Sequence, residues 1–161
     1  MSRNKYRPHL QVLPEDDANR QRVNGFKLHH KVRDCIDSLP PARGWRRVLE
    51  SFEEIHIPVL RRTPQRLLVL LIDSDDQEDR CQSIRNRIPA DLMDRVFVLG
   101  TRGEPENLKI DLGPSFESIG ARLAKECAEN SGELWNHEQL RHNAAELERL
   151  RERVQPFLFE S

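Results

Sequence analysis

The sequence predicts an α/β fold with a parallel four-stranded sheet flanked by helices, followed by a helical extension at the C-terminus. Short apolar segments alternate along the chain with segments in which apolar residues recur every three or four positions, which is the order of strands and helices in a parallel sheet. Residues 66–72 (RLLVLLI) are apolar on both faces, as in a central strand covered by helices on both sides. A long charged segment, 137–154, predicts the helical extension.

Proline and glycine mark the ends of several predicted elements. The first strand ends at Pro14, and the turn SLPPARG (38–44) separates the second strand from the next helix. That helix has one clear apolar stripe, formed by Trp45, Val48, Leu49, Phe52 and Ile55. In chain order, the expected strands are 9–13, 31–37, 66–72 and 95–100, and the expected helices cover about 17–30, 44–60, 77–88, 115–129 and 137–154.

The predicted elements divide the chain into a polar tail at residues 1–8, an α/β core at 9–112 and a helical extension at 113–161 that packs on the core. In the extension, Leu140, Leu147 and Val154 repeat every seven residues. We expect this face to pack on the chain's own core. The alternative is a homo-oligomer formed through the C-terminal helix.

The balance of charges excludes a strong overall field for nucleic acid, because 26 basic and 27 acidic residues give a formal net charge of -1. Arginines nevertheless cluster at 43–47, 61–66 and 141–153, which predicts local basic faces or, more simply, solvated helix surfaces. The three cysteines form no CxxC pair, which is typical of reduced thiols in a cytoplasmic protein. There is no apolar signal-peptide core, and no apolar run approaches the ~18 residues of a membrane span, so we expect no membrane association.

Carboxylates follow three of the predicted strands. Glu15 comes after the first strand, Asp73, Asp75 and Asp76 after the third, and Glu104 and Glu106 after the last. Because the carboxyl ends of parallel strands share one edge of the sheet, we expect these acids to converge there. A divalent cation would relieve their mutual repulsion, and oxygen ligands without histidine or thiolate favour Mg²⁺ or Mn²⁺.

The acids after the third strand have a spacing that suits metal binding. One residue separates Asp73 from Asp75, so in extended backbone both side chains would point to the same side and could share one metal or hold two. Asp76 is a further candidate ligand, although it also fits as an acid at the start of a helix. Hard metals held in this way usually act on phosphates.

This arrangement resembles the Toprim family, which includes topoisomerase, primase and nuclease domains and the nucleases of OLD-type defence systems. The likeness rests on Glu15 after the first strand and on the DxD formed by Asp73 and Asp75, and it covers about residues 9–100. It implies a Toprim-like, Rossmann-like core in which the two aspartates bind Mg²⁺ while Glu15 acts as acid/base or as a further ligand. The segment GEPENL is similar to the ENxL-type segment of nuclease-branch members, which implies Glu106 as a ligand.

The resemblance implies a metal-dependent nuclease or nicking enzyme that acts on nucleic acid, with DNA as the first expectation. Arg61, Arg62 and Arg66 are our candidate contacts to the phosphate backbone. The chain has no P-loop (GxxxxGK[ST]), so any ATP-driven step needs a separate ATPase partner, as in OLD-type systems. A role in defence against phage or plasmid DNA follows from the same analogy.

Two other function classes fit parts of the sequence. Toprim proteins often carry glycine after the Glu and again past the DxD, where this chain has Asp16 and the run DQEDR, and nuclease-branch members often have a second acid where Asn19 stands. These departures favour a non-enzymatic binding or regulatory subunit. A receiver-type signalling domain ranks lowest, because no further strand with a following lysine comes after 95–100. Asp16 and Asp17 also fit as acids at a helix N-terminus.

Overall fold

The computed structural model describes residues 7–29, 32–72, 78–99, 121, 123–127 and 144–158. Its strands are β1 (His9–Pro14), β2 (Ile36–Ser38), β3 (Arg66–Leu71) and β4 (Val96–Leu99). Its helices are α1 (Asp17–Leu28), α2 (Trp45–Ser51), α3 (Ile57–Arg62), α4 (Glu78–Arg85) and α5 (Ala144–Leu158), with a π-helical turn at Phe52–His56, a 3₁₀ turn at Ala90–Leu92 and further helical residues at 123–127.

The four strands form one all-parallel sheet in the order β2-β1-β3-β4. The sequence-based prediction of an α/β fold with a parallel four-stranded sheet is therefore confirmed. The long central pairing runs from His9 opposite Arg66 to Pro14 opposite Leu71. Residues 66–72 form the central strand that their apolar pattern predicted, since β3 lies between β1 and β4.

The second strand is shorter and later than the sequence pattern indicated. It covers Ile36–Ser38, whereas the alternating pattern predicted 31–37. The backbone N–H of Arg33 donates to the carbonyl of Leu158 in α5 (2.7 Å) and not to β1. Only Ile36 in this strand is buried, which suits a short strand at the edge of the sheet with three residues paired to β1.

Alternate strand residues build two apolar layers, one on each face of the sheet. The first layer contains Leu10, Val12, Val69, Phe97 and Leu99, and it packs against α1, residues 123–127 and α5. The second contains Leu13, Leu68, Leu70, Ile72, Val96 and Val98, and it packs against α2, the π turn, α3 and α4. The buried residues Leu147 and Val154 of α5 belong to the first layer and pack on the sheet, whereas Leu140, the third residue of the predicted apolar face, lies outside the described residues.

One continuous helical segment from Trp45 to Arg62 changes its winding in the middle. The backbone N–H of Ile57 donates to the carbonyl of Phe52, five residues earlier, which is the bond of a π turn. The following residue, Pro58, has no N–H and its ring would clash with the carbonyl four residues before it in a regular α-helix. The wider turn lets the helix pass the proline without ending.

A pair of side chains from α5 satisfies the open edge of β4. The backbone N–H groups of Leu68 and Ile72 donate to the carbonyls of Arg95 and Leu99, so these two carbonyls face β3. The backbone groups of Val96 and Val98 point the other way, toward the open edge of the sheet. The Glu146 carboxylate accepts from the Val98 N–H (2.8 Å), and the Arg149 guanidinium donates to the Val96 carbonyl (3.0 Å). Glu146 and Arg149 also pair with each other at 2.8 Å. Together they replace the donor and acceptor of a neighbouring strand, which protects the edge from pairing with another chain.

We expect Glu146→Ala to destabilise the protein by about 1–3 kcal/mol, because it leaves the Val98 N–H and the Arg149 guanidinium without their carboxylate. Chemical denaturation measures the change. Glu148→Ala removes an exposed carboxylate from the same helix and serves as the control. Equal effects of the two substitutions would show that the edge contact does not contribute.

Within the described part of the chain, no helix is both long and apolar enough to cross a membrane.

Candidate functional site

The sheet changes its winding direction between β1 and β3. The chain passes from β1 outward to β2 at one edge, and then from β3 outward to β4 at the other. Helix α1 packs on one face, whereas the helices that precede and follow β3 pack on the opposite face. In parallel sheets of this kind the connections diverge at such a point and leave a crevice at the carboxyl ends of the two strands, where ligands bind.

Glu15 lies at this crevice. Its backbone N–H donates to the carbonyl of Leu71 (2.8 Å), which extends the pairing of β1 with β3 by one residue beyond Pro14. Its carbonyl accepts from the N–H groups of Arg43 (2.7 Å) and Gly44 (3.3 Å). The main chain of Glu15 is thus held from both sides, and its half-buried side chain takes its direction from a fixed backbone.

The turn that binds Glu15 has an unusual backbone. Arg43 has φ 69° and Gly44 has φ 137°. A positive φ costs an arginine about 1 kcal/mol or more, whereas glycine adopts it readily. The turn places the two N–H groups side by side toward the Glu15 carbonyl, so the strained residue helps to hold the candidate site.

The two aspartates after Glu15 belong to the start of α1. Asp16 is the N-cap residue, and its carboxylate accepts from the backbone N–H of Asn19 (2.9 Å). Asp17 accepts hydrogen bonds from Gln21 and Arg20, which hold the pKa of its carboxyl below the usual value. Both residues therefore have the structural role that the sequence offered as the simpler interpretation.

We expect Asp16→Ala to lower the free energy of unfolding by about 1 kcal/mol, the typical contribution of an aspartate N-cap. Thermal unfolding measures the change. An Asp16→Asn variant, which keeps a capping oxygen, should recover most of the stability.

The other predicted acidic site residues, Asp73, Asp75, Asp76 and Glu106, lie outside the described residues. The described chain ends at Ile72 after β3, where its N–H donates to the carbonyl of Leu99 (2.9 Å), and at Leu99 after β4. Among the described residues alone, no group of three or more histidine, cysteine or acidic side chains could hold a metal ion.

Asn19, at the position where the resemblance would place a second acid, faces the interior. Its side chain is fully buried and accepts a hydrogen bond from the buried guanidinium of Arg22. Position 19 is therefore part of the packing of α1 against the sheet in this chain.

The predicted phosphate-binding arginines do not share the edge that carries Glu15. Arg66 begins β3, opposite His9, and donates from its Nε to the His9 ring (3.0 Å). It is separated from the carboxyl end of the strand by roughly 17 Å of extended chain. Arg61 and Arg62 end α3 just before it, and Arg61 pairs with Asp91 (3.1 Å). These arginines therefore lie at the amino edge of the sheet, because strands in a parallel sheet begin at one edge and end at the other, and their contact with a phosphate backbone stays a prediction.

The structure brings a different arginine cluster to Glu15. Residues 43–47, noted in the sequence only as basic, include the turn that binds the Glu15 carbonyl and the first turn of α2. Their position just after β2 is the signal that could have identified them, because segments after parallel strands meet at the carboxyl edge.

No protein-family model, curated protein or solved structure matches the chain.

Proposed function

We propose that the protein is a metal-dependent nuclease or nicking enzyme of Toprim type, which hydrolyses phosphodiester bonds in nucleic acid. One observation carries the proposal. Glu15 is hydrogen-bonded to Leu71 at the carboxyl end of β3, two residues before Asp73 in the sequence, and both strand ends flank the point where the sheet changes direction. The glutamate of the E…DxD pattern therefore lies beside the strand that leads into the DxD.

The donor set fits a hard divalent cation. Glu15, Asp73 and Asp75 offer only carboxylate oxygens, which suit Mg²⁺ or Mn²⁺, and Asp76 and Glu106 are further candidate ligands. When bound, such an ion neutralises charge on the scissile phosphate and lowers the pKa of a bound water. In the hydrolysis, water oxygen bonds to phosphorus, the phosphorus–oxygen bond to the leaving group breaks, and Glu15 accepts the water proton if it acts as the general base.

Plasmid cleavage tests the proposal. We expect the wild-type protein to nick supercoiled DNA in Mg²⁺ or Mn²⁺, EDTA to abolish this nicking, and the Asp73→Ala/Asp75→Ala variant to lack it in either metal. Asp91→Asn/Asp94→Asn is the matched control, because it also removes two carboxylates, both exposed and both before β4 at the opposite edge. Loss of nicking in the control alone, or activity that persists in the DxD variant, would contradict the proposed site.

We also propose an ATPase partner, on the ground that OLD-type Toprim domains work with ATPase domains and this chain carries no P-loop. A role in defence against foreign DNA extends the same analogy. A nuclease that depends on such a partner would bind metal but leave the plasmid intact when tested by itself. Calorimetric titration with Mn²⁺ therefore accompanies the cleavage assay.

A second candidate function is a non-enzymatic binding or regulatory subunit with the same fold. The buried contact between Asn19 and Arg22 favours it, because position 19 is committed to packing and supplies no second acid. For this candidate, calorimetric titration with Mn²⁺ should give the same result for the wild type and for Asp73→Ala/Asp75→Ala, because neither protein binds the metal at these residues.

A further inference from the structure

A basic and aromatic surface lies beside Glu15. We define the arginine–tryptophan surface as Arg43, Trp45, Arg46, Arg47 and Arg80. Arg43, Arg46 and Arg47 are exposed, and Trp45 and Arg80 are partly buried. Its first four members belong to the turn and to the first turn of α2, and the last lies in α4, which packs on the same face of the sheet.

The exposed arginines of this surface differ from other arginines of the protein. Elsewhere, described carboxylates pair with Arg20, Arg61, Arg87, Arg149 and Arg153. Arg43, Arg46 and Arg47 form no ion pair with any carboxylate of the described residues. Their charges are therefore available to an anion from solution.

The ring of Trp45 contacts two guanidinium groups of the surface. The Arg46 guanidinium carbon lies 5.4 Å from the Trp45 ring centroid, and that of Arg80 lies 5.7 Å from it. At these distances the ring attracts both guanidinium groups. A guanidinium stacked on an aromatic ring keeps the N–H groups at its edge for bidentate contact with phosphate oxygens, and it loses less side-chain entropy when it binds.

The position of Arg46 and Arg47 is unfavourable for the helix itself. They occupy the first turn of α2, where the helix dipole disfavours cations, and no acid is present in that turn. Arg61 and Arg62 at the other end of the same helical segment follow the dipole preference. The contact with Trp45 offsets part of this cost for Arg46, whereas Arg47 forms no ion pair with a described carboxylate. A charged residue that is unfavourable for its helix and lacks such a pair points to a functional role.

The arginine–tryptophan surface lies beside the candidate site and is attached to it through the backbone. The N–H groups of Arg43 and Gly44 bind the Glu15 carbonyl, so the turn is fixed to the end of β1. Further along the helix, the groove between α2 and α4 has mixed charge, because Glu50 and Glu53 line it together with Arg87, which pairs with Glu53. The exposed arginines of the surface therefore lie at its end beside the carboxyl edge of the sheet.

We propose that the arginine–tryptophan surface binds the sugar–phosphate backbone of nucleic acid and leads it to the carboxyl edge at Glu15. This surface would supply the nucleic-acid contacts that the proposed nuclease needs. The link between binding and cleavage rests on that proposed function. The binding itself is sequence-independent, because guanidinium–phosphate contacts position the backbone without reading the bases.

Metal-free binding of nucleic acid tests this proposal separately from cleavage. The protein contains two tryptophans, so Trp135→Phe leaves Trp45 as the single tryptophan, whose fluorescence can be excited selectively. This variant is titrated in EDTA with single-stranded and duplex DNA of one length, at several salt concentrations. In the same background, Arg46→Gln/Arg47→Gln is compared with Arg33→Gln/Lys125→Gln, which also removes two exposed positive charges, one before β2 and one in the helical residues 123–127 on the opposite face of the sheet.

We expect DNA to change the Trp45 fluorescence, and Arg46→Gln/Arg47→Gln to weaken binding about 10-fold and to reduce the slope of log K against log salt by about 1.8 for duplex DNA. The Arg33→Gln/Lys125→Gln control should bind like the parent. The test variant should keep or raise its melting temperature, since it removes cations from the positive end of the helix. Single Arg43→Gln provides a second, independent loss of affinity.

Equal affinities of the two double variants would overturn the proposal, and so would a parent protein that binds neither DNA. Binding that depends on Arg46 and Arg47, with neither metal-dependent cleavage nor Mn²⁺ binding that requires Asp73 and Asp75, would support the surface while contradicting the nuclease function. If Arg46→Gln/Arg47→Gln still cleaves DNA and binds it with unchanged affinity, the nuclease function is supported and the binding surface is contradicted.

Discussion

Glu15→Gln is expected to reduce Mg²⁺-dependent cleavage by about 10²–10⁴-fold, the usual contribution of a general base, while the protein keeps its fold. The main chain of residue 15 bonds to Leu71, Arg43 and Gly44. Glutamine preserves these backbone bonds and the size of the side chain. The substitution therefore removes the charge and leaves the geometry of the strand end unchanged.

Metal binding gives Glu15→Gln a second and independent readout. If Glu15 faces the DxD acids, removing one of three crowded carboxylates relieves repulsion in the metal-free protein and weakens the metal complex. The melting temperature without metal should stay or rise, and its increase on addition of Mn²⁺ should become smaller than in the wild type. Parallel melts in EDTA and Mn²⁺ measure both effects.

Asp17→Asn is the control for this prediction, because Asp17 is an exposed carboxylate two residues away that bonds only within α1. It should retain cleavage and the response to Mn²⁺. A Glu15→Gln protein that cleaves DNA at the wild-type rate would remove Glu15 from the site and leave the nuclease proposal dependent on the DxD acids alone.

Phe97→Ala is expected to lower the free energy of unfolding by about 3–5 kcal/mol, the range observed when a buried phenylalanine is truncated. Phe97 is 0% exposed and lies in the apolar layer between β4 and α5. Its ring also lies 4.4 Å from the Arg149 guanidinium carbon. Truncation therefore leaves a cavity and removes a cation–π contact from the helix that covers the β4 edge.

Phe157→Ala provides the comparison, because Phe157 packs against the same layer but is only partly buried. Urea denaturation of both variants should show a loss at Phe157 well below that at Phe97. Similar losses of unfolding free energy in the two variants would mean that Phe97 is not packed more tightly than Phe157. A loss below 1 kcal/mol at Phe97 would contradict the packing of α5 on β4.

Much of the fold was predictable because strand and helix periodicities are local properties of the chain. The apolar run 66–72, Pro14 and the turn before Trp45 placed the elements nearly where they lie. The exception is β2, which begins at Ile36 because α5 binds the N–H of Arg33, a contact between residues far apart in sequence.

The candidate site was predictable only in part. Strand ends are visible in the sequence, so Glu15 and the DxD could be named, and a parallel sheet already implies that Arg66, which begins a strand, lies at the opposite edge from the residue that ends it. The DxD itself lies outside the described residues, so its geometry stays a prediction.

The sequence by itself determined the kinds of elements, their order, and the carboxylates that follow the strands. Only the tertiary structure decided that β1 lies next to β3, that residues 43–47 meet Glu15, and that Glu146 and Arg149 cover the β4 edge. The physical reason is that periodicity records which side of an element is buried, whereas lateral strand order and side-chain partners arise from contacts between distant parts of the chain.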